Sequence, residues 1–142
     1  MTLVADSGAL YALYDADDRH HRPVADALAA ARGPVIVPSV LLCEVDYLLR
    51  EFLGVDAELD FLRSLEEGAF LLEPFTGVDL SRARELVEQY RDLDLDLGLA
   101  DAAVVATAER LHIPTLLTVD ERDFRAVRHR NGSAFVLWPA DR

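Results

Sequence analysis

Four carboxylate residues, Asp6, Glu44, Asp101 and Asp120, lie within or directly after apolar stretches of this 142-residue chain. Asp6 and Asp120 each close an apolar segment, while Glu44 and Asp101 interrupt apolar runs. Two ionised carboxylates about 4 Å apart repel each other by roughly 4 kcal/mol at an effective dielectric constant near 20. If the four side chains meet, a positive charge must offset this repulsion, and a hard divalent metal ion is the usual source of that charge.

The elements that would position these residues are those of an α/β fold with a mainly parallel sheet, because apolar runs alternate with helical periodicity along the whole chain. The pattern predicts strands over residues 2–6, 35–37, 69–75, 115–119 and 134–138. It predicts helices over residues 7–15, 23–32, 39–53, 55–67, 79–90, 99–111 and 121–127, with Ser39 capping the third of them. The acidic stretch 92–97 is interpreted as a loop.

In open α/β sheets, ligands bind beyond the carboxyl ends of the strands, where the strand order reverses. Asp6 and Asp120 lie at two such ends, and they emerge side by side if their strands are neighbours. Glu44 is expected at the edge of the buried stripe of its helix, and Asp101 in the first turn of a nearly apolar helix. Carboxylates converging from two strands and two helices would form an oxygen-lined site for Mg²⁺ or Mn²⁺.

Each carboxylate also has a purely structural interpretation, which the sequence alone leaves open. Asp6 and Asp120 could cap the helices that follow them. Asp101 could interact favourably with its helix dipole, and Glu44 could extend from the edge of its helix into solvent. Taken singly these signals are weak, whereas their joint occurrence favours a metal site.

Composition narrows the class of protein. The formal net charge of −12 argues against broad attraction to phosphate backbones, yet all 14 cationic residues are arginines. Six of them cluster with histidines at 19–22 and 122–130, where they could bind nucleic acid or form a solvated surface. No apolar stretch is long enough to span a bilayer, and no signal-peptide pattern is present. We therefore expect one domain over residues 1–142, located in the cytoplasm.

Four segments together carry a resemblance to a known family: residues 4–13, 38–45, 97–108 and 117–124. They resemble the PIN-domain family, and most closely its compact VapC-type toxin branch. The resemblance covers essentially the whole chain. It implies a three-layer α/β/α fold with a short, mainly parallel central sheet of about five strands.

The activity that the resemblance implies is a metal-dependent ribonuclease whose four acidic positions match Asp6, Glu44, Asp101 and Asp120. Asp6, Asp101 and Asp120 would hold Mg²⁺, or Mn²⁺ in its place, and Glu44 would orient the attacking water. The resemblance adds Ser7, Thr118 and Asp123 as accessory residues. Asp94 and Asp96 depart from the family pattern and have no assigned role.

The resemblance also implies partners: an RNA substrate, a cognate VapB-type antitoxin that blocks the site, and a second copy of the chain. Tyr47, Phe52 and Phe61 could supply the exposed patch of a homodimer, or could all belong to a single core. The alternative function is a non-catalytic metal-binding or interaction module. Phosphotransferases with a nucleophilic aspartate, and receiver domains, are disfavoured because the chain has no lysine.

Overall fold

The centre of the molecule is a parallel β-sheet in a computed structural model that describes residues 1–95 and 97–142. Within those residues five strands pair in the order β3-β2-β1-β4-β5, all parallel. The strands are β1 (Leu3–Ala5), β2 (Val35–Pro38), β3 (Leu71–Glu73), β4 (Thr115–Leu117) and β5 (Val136–Trp138). All five predicted strands are present, and the prediction of a short parallel sheet is confirmed.

Helices flank this sheet, and the predicted α/β/α architecture is confirmed. In the described part of the chain there are seven α-helices and one short 3₁₀ helix. The α-helices are α1 (Ser7–Tyr14), α2 (His21–Ala31), α3 (Leu42–Leu53), α4 (Val55–Glu66), α5 (Gly77–Tyr90), α6 (Leu99–Arg110) and α7 (Glu121–Ala126). None of the helices in residues 1–95 and 97–142 has the length and apolar character needed to cross a membrane.

The core lies between the sheet and the helices. The three central strands are completely buried, which is expected for parallel strands covered on both faces. Helix α6 is the most deeply placed helix, since every residue from Ala102 to Ala108 is buried. Its small alanine and valine side chains allow close packing, so α6 has almost no side facing solvent.

Two ion pairs join α6 to α5. The guanidinium of Arg82 donates to both carboxylate oxygens of Glu109, at 2.8 and 3.0 Å. Arg110 makes the same two-point contact with Asp79, at 2.8 and 3.2 Å, and Asp79 is only 1% exposed. Paired hydrogen bonds of this kind fix geometry as well as adding charge attraction. They hold the C-terminal half of α6 against α5.

Two predictions of local structure need correction. The predicted helix from Ser39 begins instead as a 3₁₀ turn, Ser39–Leu41, before α3. The Ser39 hydroxyl does not cap a helix: it accepts a hydrogen bond from the Phe75 amide, 36 residues away. Phe61 is completely buried, and so cannot join Tyr47 and Phe52 in an exposed patch. The loop prediction over 92–97 agrees with the described residues, and Asp96 lies outside them.

Candidate metal centre

Asp6 begins the site at the carboxyl end of β1. Its backbone leaves the strand in an extended conformation and its side chain caps α1, with Oδ1 accepting from the Ala9 amide at 2.8 Å. Oδ2 accepts from the hydroxyl of Thr118 at 2.5 Å. Asp6 is only 4% exposed. Both of its oxygens are therefore held by the protein itself.

The second part of the site follows β4, which is hydrogen-bonded to β1. Asp120 caps α7, with Oδ1 accepting from the Asp123 amide at 3.1 Å. The Thr118 hydroxyl that donates to Asp6 also accepts from the Asp120 amide at 3.0 Å. Thr118 therefore ties the turn after β1 to the turn after β4.

Asp101 and Glu44 enter from two helices. Asp101 lies in the first turn of α6 and is partly buried, and Glu44 lies in the first turn of α3. Glu44 is exposed, which differs from its predicted position at the edge of a buried stripe. Its negative charge nevertheless raises the pKa of both Asp6 and Asp101. The four predicted carboxylates thus lie close enough to interact, and we call them, with Asp123, the carboxylate cup.

The tightest group in the cup differs from the predicted metal ligands. Asp101, Asp120 and Asp123 each offer an oxygen, and these three oxygens lie within 4.8 Å of one another. The predicted metal ligands were Asp6, Asp101 and Asp120, with Asp123 as an accessory residue, and this assignment stays a prediction. Asp123 lies in the first turn of α7 and is only 5% exposed, so it is a buried member of the cup. The sequence signal for it was the family resemblance, which places a further acidic residue at this position.

The other two predicted accessory residues, Thr118 and Ser7, differ in whether they contact the cup. Thr118 contacts both Asp6 and Asp120, as described above. Ser7 is the first residue of α1, and its hydroxyl makes no hydrogen bond within the described part of the chain. The Asp94 carboxylate is fully exposed and pairs with Arg122 at 3.0 Å, so it belongs to a solvated loop.

Burial and mutual repulsion both act on the protonation of the cup. The pKa of Asp101 is raised to about 7, chiefly by burial and then by the charges of Asp6, Asp120, Asp123 and Glu44. The pKa of Asp6 is raised to about 6, again mainly by burial, although the hydrogen bonds from Thr118 and Ala9 oppose the shift. Such shifts mark a site whose ionised form needs a positive partner.

Four of the five cup carboxylates are not neutralised by an ion pair with a protein cation in the described part of the chain. Within residues 1–95 and 97–142, no arginine or histidine forms an ion pair with Asp6, Glu44, Asp101 or Asp120. The donors are exclusively hard oxygen atoms, which is the ligand set that Mg²⁺ and Mn²⁺ prefer. The residues present therefore fit a divalent metal ion.

Comparisons with known proteins agree with this geometry. A family model described as PIN domain matches residues 3–130. Ribonuclease VapC26 of Mycobacterium tuberculosis is 35% identical over 137 residues, covering 96% of this chain and all of that protein.

Solved structures show the same fold at lower sequence identity. A crystal structure of M. tuberculosis VapC20, described as a Sarcin-Ricin loop cleaving toxin, has a TM-score of 0.78 at 20% identity, with 87% of this chain and 94% of that chain covered. A toxin-antitoxin complex from Klebsiella pneumoniae has a TM-score of 0.67 at 23% identity, covering 88% and 92% of the two chains. These likenesses establish the fold.

Replacing Asp101 by asparagine is expected to stabilise the metal-free protein at neutral and alkaline pH. The pKa of Asp101 is higher in the folded chain than its ordinary value of 3.8, so the folded state binds this proton more tightly than the unfolded state. The free energy of unfolding of the wild type therefore falls as the pH rises from about 4 to about 7. An asparagine side chain has no proton to lose, and Asp101→Asn should gain about 1–3 kcal/mol at pH 8 and little at pH 4.

The measurement is urea denaturation at both pH values in EDTA. Glu51→Gln, which removes an exposed carboxylate from α3, is the control and should change neither value appreciably. A lower free energy of unfolding for Asp101→Asn than for the wild type at pH 8 would show that the ionised Asp101 carboxylate does not destabilise the folded protein.

Proposed function

Because the chain belongs to the PIN-domain family, we propose that it is a metal-dependent ribonuclease, the toxin of a toxin-antitoxin pair, that hydrolyses phosphodiester bonds in RNA. The observation that carries the proposal is the carboxylate cup at the carboxyl edge of the sheet. It gathers five acidic residues from four elements, and four of them (Asp6, Glu44, Asp101 and Asp120) form no ion pair with an arginine or histidine of the described residues. The 35% identity to a ribonuclease over nearly the whole chain supports the same activity.

Asp101, Asp120 and Asp123 are the residues proposed to hold Mg²⁺, or Mn²⁺ in its place, because their oxygens lie closest together. A divalent ion supplies an acidified water and neutralises charge on the reacting phosphate. Asp6 adds negative charge beside this group, and Thr118 fixes its carboxylate. Asp6 is therefore proposed as a further ligand whose orientation is set by the protein.

Glu44 has a different proposed role, since it is the exposed member of the cup. An exposed carboxylate at the entrance can accept a hydrogen bond from the attacking water and orient it toward the phosphate. Its separation from the Asp101, Asp120 and Asp123 group leaves it free to do so. No nucleophilic side chain is required for hydrolysis on this scheme.

The catalytic assignment predicts that Asp101→Asn and Asp123→Asn each lower the rate of RNA cleavage by about 100-fold or more, because each removes a carboxylate proposed to hold the metal ion. The assay is hydrolysis of a labelled RNA with Mg²⁺ or Mn²⁺, with EDTA expected to stop the reaction. Asp94→Asn removes an equal charge from the exposed loop and should retain wild-type activity.

Full activity of Asp101→Asn would overturn the assignment of the cup. The alternative function, a non-catalytic module, makes a different prediction for the same samples. In that case metal raises the thermal stability of the wild type while RNA stays intact under every condition.

An antitoxin that covers the cup is the second part of the proposal. A groove of about 280 Å³ lies between α1 and α3 and is lined by Gly8, Tyr11, Leu48 and Phe52. The groove lies next to the cup, because a Cβ atom placed on Gly8 would lie 3.8 Å from Oδ1 of Asp6. A peptide with apolar side chains in this groove could therefore place an Arg or Lys side chain among the carboxylates.

Phe52→Glu should weaken inhibition by the cognate antitoxin by about tenfold or more, since it puts a charge into the apolar groove. Phe52 is 66% exposed, so the fold and the basal cleavage of RNA should not change. Inhibition is measured by titrating the antitoxin into the cleavage assay. Val78→Glu, at an exposed apolar position on α5, is the matched control. Equal inhibition of Phe52→Glu and wild type would exclude this groove.

We also propose that residues 1–142 form one PIN domain that acts in the cytoplasm as a homodimer. The second copy is proposed to bind on α5, where Leu80 and Val87 line a pocket of about 430 Å³ with Leu99. Arg84 and Glu88 flank these apolar residues and are both exposed. Arg84 and Glu88 pair with each other at 2.8 Å within the chain, and a two-fold contact would let the same two residues pair between copies.

Leu80→Glu is expected to convert the dimer to a monomer, because it places a charge in the centre of this apolar contact. Sedimentation velocity at micromolar concentration measures the change. Tyr47→Glu, on the exposed side of α3, should leave the dimer intact. A monomeric wild type, or dissociation caused by Tyr47→Glu instead, would contradict the proposed interface.

A further inference from the structure

The carboxylate cup repels the phosphates of RNA, so the strand needs cations beside the cup. The arginines that could supply these cations differ in whether they already form an ion pair with a carboxylate. Ten of the 14 form an ion pair with a carboxylate within 4 Å in the described structure. The four arginines that form no such pair with any described residue are Arg19, Arg32, Arg128 and Arg142.

These four arginines differ in where they lie and in what they contact. Arg32 lies at the far end of α2, and Arg128 donates to the backbone carbonyls of Arg125 and Val127. Arg142 is exposed, and its backbone amide donates to the carbonyl of Pro139 at 3.2 Å. Arg19 is exposed just before α2, and its Nε donates to Nε2 of His20 at 3.1 Å, so the two side chains are held together.

His20 lines a pocket that adjoins the cup. This flanking pocket has a volume of about 200 Å³ and is lined by His20, Pro23, Thr118, Val119, Glu121, Pro139 and Ala140. Thr118 is the residue whose hydroxyl donates to Asp6, and Glu121 follows Asp120 in the chain. The pocket and the cup therefore share a wall, and an RNA strand whose phosphate lies in the cup passes next to the pocket.

The lining suits a nucleobase. The His20 ring and the aliphatic groups of Pro23, Val119, Pro139 and Ala140 form most of it. Histidine is one of the side chains on which the bases of single-stranded RNA stack. Glu121 Oε1 already accepts from Arg125 at 2.8 and 3.1 Å, which leaves Oε2 to accept from a base N–H. Asp18, the acidic residue next to Arg19, is already engaged, because its Oδ1 accepts from the His20 amide at 2.7 Å.

We propose that the flanking pocket binds the base of a nucleotide adjacent to the cleaved bond, and that Arg19 binds the phosphate of that nucleotide. This inference rests on the proposed ribonuclease function and adds a positioning site to it. His20 has two roles in this proposal. Its ring contacts the base, and its Nε2 orients the guanidinium of Arg19. The size of the pocket limits it to a single nucleotide.

The phosphate contact is tested by binding, which requires no cleavage. The probe is a fluorescent single-stranded oligoribonucleotide, and the protein carries Asp101→Asn to prevent hydrolysis. Adding Arg19→Gln should weaken binding several-fold and reduce the slope of log affinity against log salt concentration by about 0.7, the value for one phosphate on a single strand. Arg32→Gln removes the same charge from the other end of α2 and should change neither quantity. Equal effects of Arg19→Gln and Arg32→Gln would overturn the inference.

The base contact is tested by kinetics with the otherwise wild-type protein. Substrates carry an abasic nucleotide at one of the two positions that flank the cleaved bond. At one position kcat/KM should fall by about tenfold, as expected for loss of one stacked base. His20→Ala should cleave the intact and abasic substrates at similar rates, because it has already lost the contact. An unchanged kcat/KM for both abasic substrates would overturn the pocket assignment, whereas no cleavage of the intact RNA would contradict the proposed function itself.

Discussion

The pairing of β1 with β4 determines where the chemistry can occur. Because the two strands are parallel and adjacent, their carboxyl ends meet at one edge, and the turns that follow deliver Asp6 and Asp120 to the same place. Thr118 then joins the turns by donating to one and accepting from the other. Every other member of the cup is positioned relative to this junction. A slip in the pairing of these two strands would separate the carboxylates.

The fold could be predicted from the sequence because its signals are local. Short apolar runs alternating with helical periodicity predicted all five strands, and the buried central strands explain why those runs are continuous rather than alternating. Ser39 shows where local signals fail. A serine before a helix ordinarily predicts a cap, but here its hydroxyl binds the amide of Phe75. That partner is 36 residues away, and no local pattern indicates it.

The candidate site was predictable in its members but not in its internal arrangement. Asp6 and Asp120 had two competing interpretations, as helix caps or as members of a metal site, and the structure shows that each carboxylate can cap a helix while lying in the cup. Their capping bonds use one oxygen each. The exposure of Glu44 and the close grouping of Asp123 with Asp101 depend on how α3 and α7 tilt against the sheet. Residue spacing carries no information about tilt.

The burial of α6 on all sides has a dynamic consequence. A helix without a solvent-facing side cannot rotate or slide unless the core around it opens, so its motions are as restricted as those of the central strands. Asp101 directly precedes the buried stretch from Ala102 to Ala108 and is joined to it through the helix backbone. Glu44 stands at the exposed start of α3 and can exchange rotamers within nanoseconds. The cup thus combines two carboxylates fixed by hydrogen bonds, Asp6 and Asp120, with one carboxylate, Glu44, that is exposed and free to reorient.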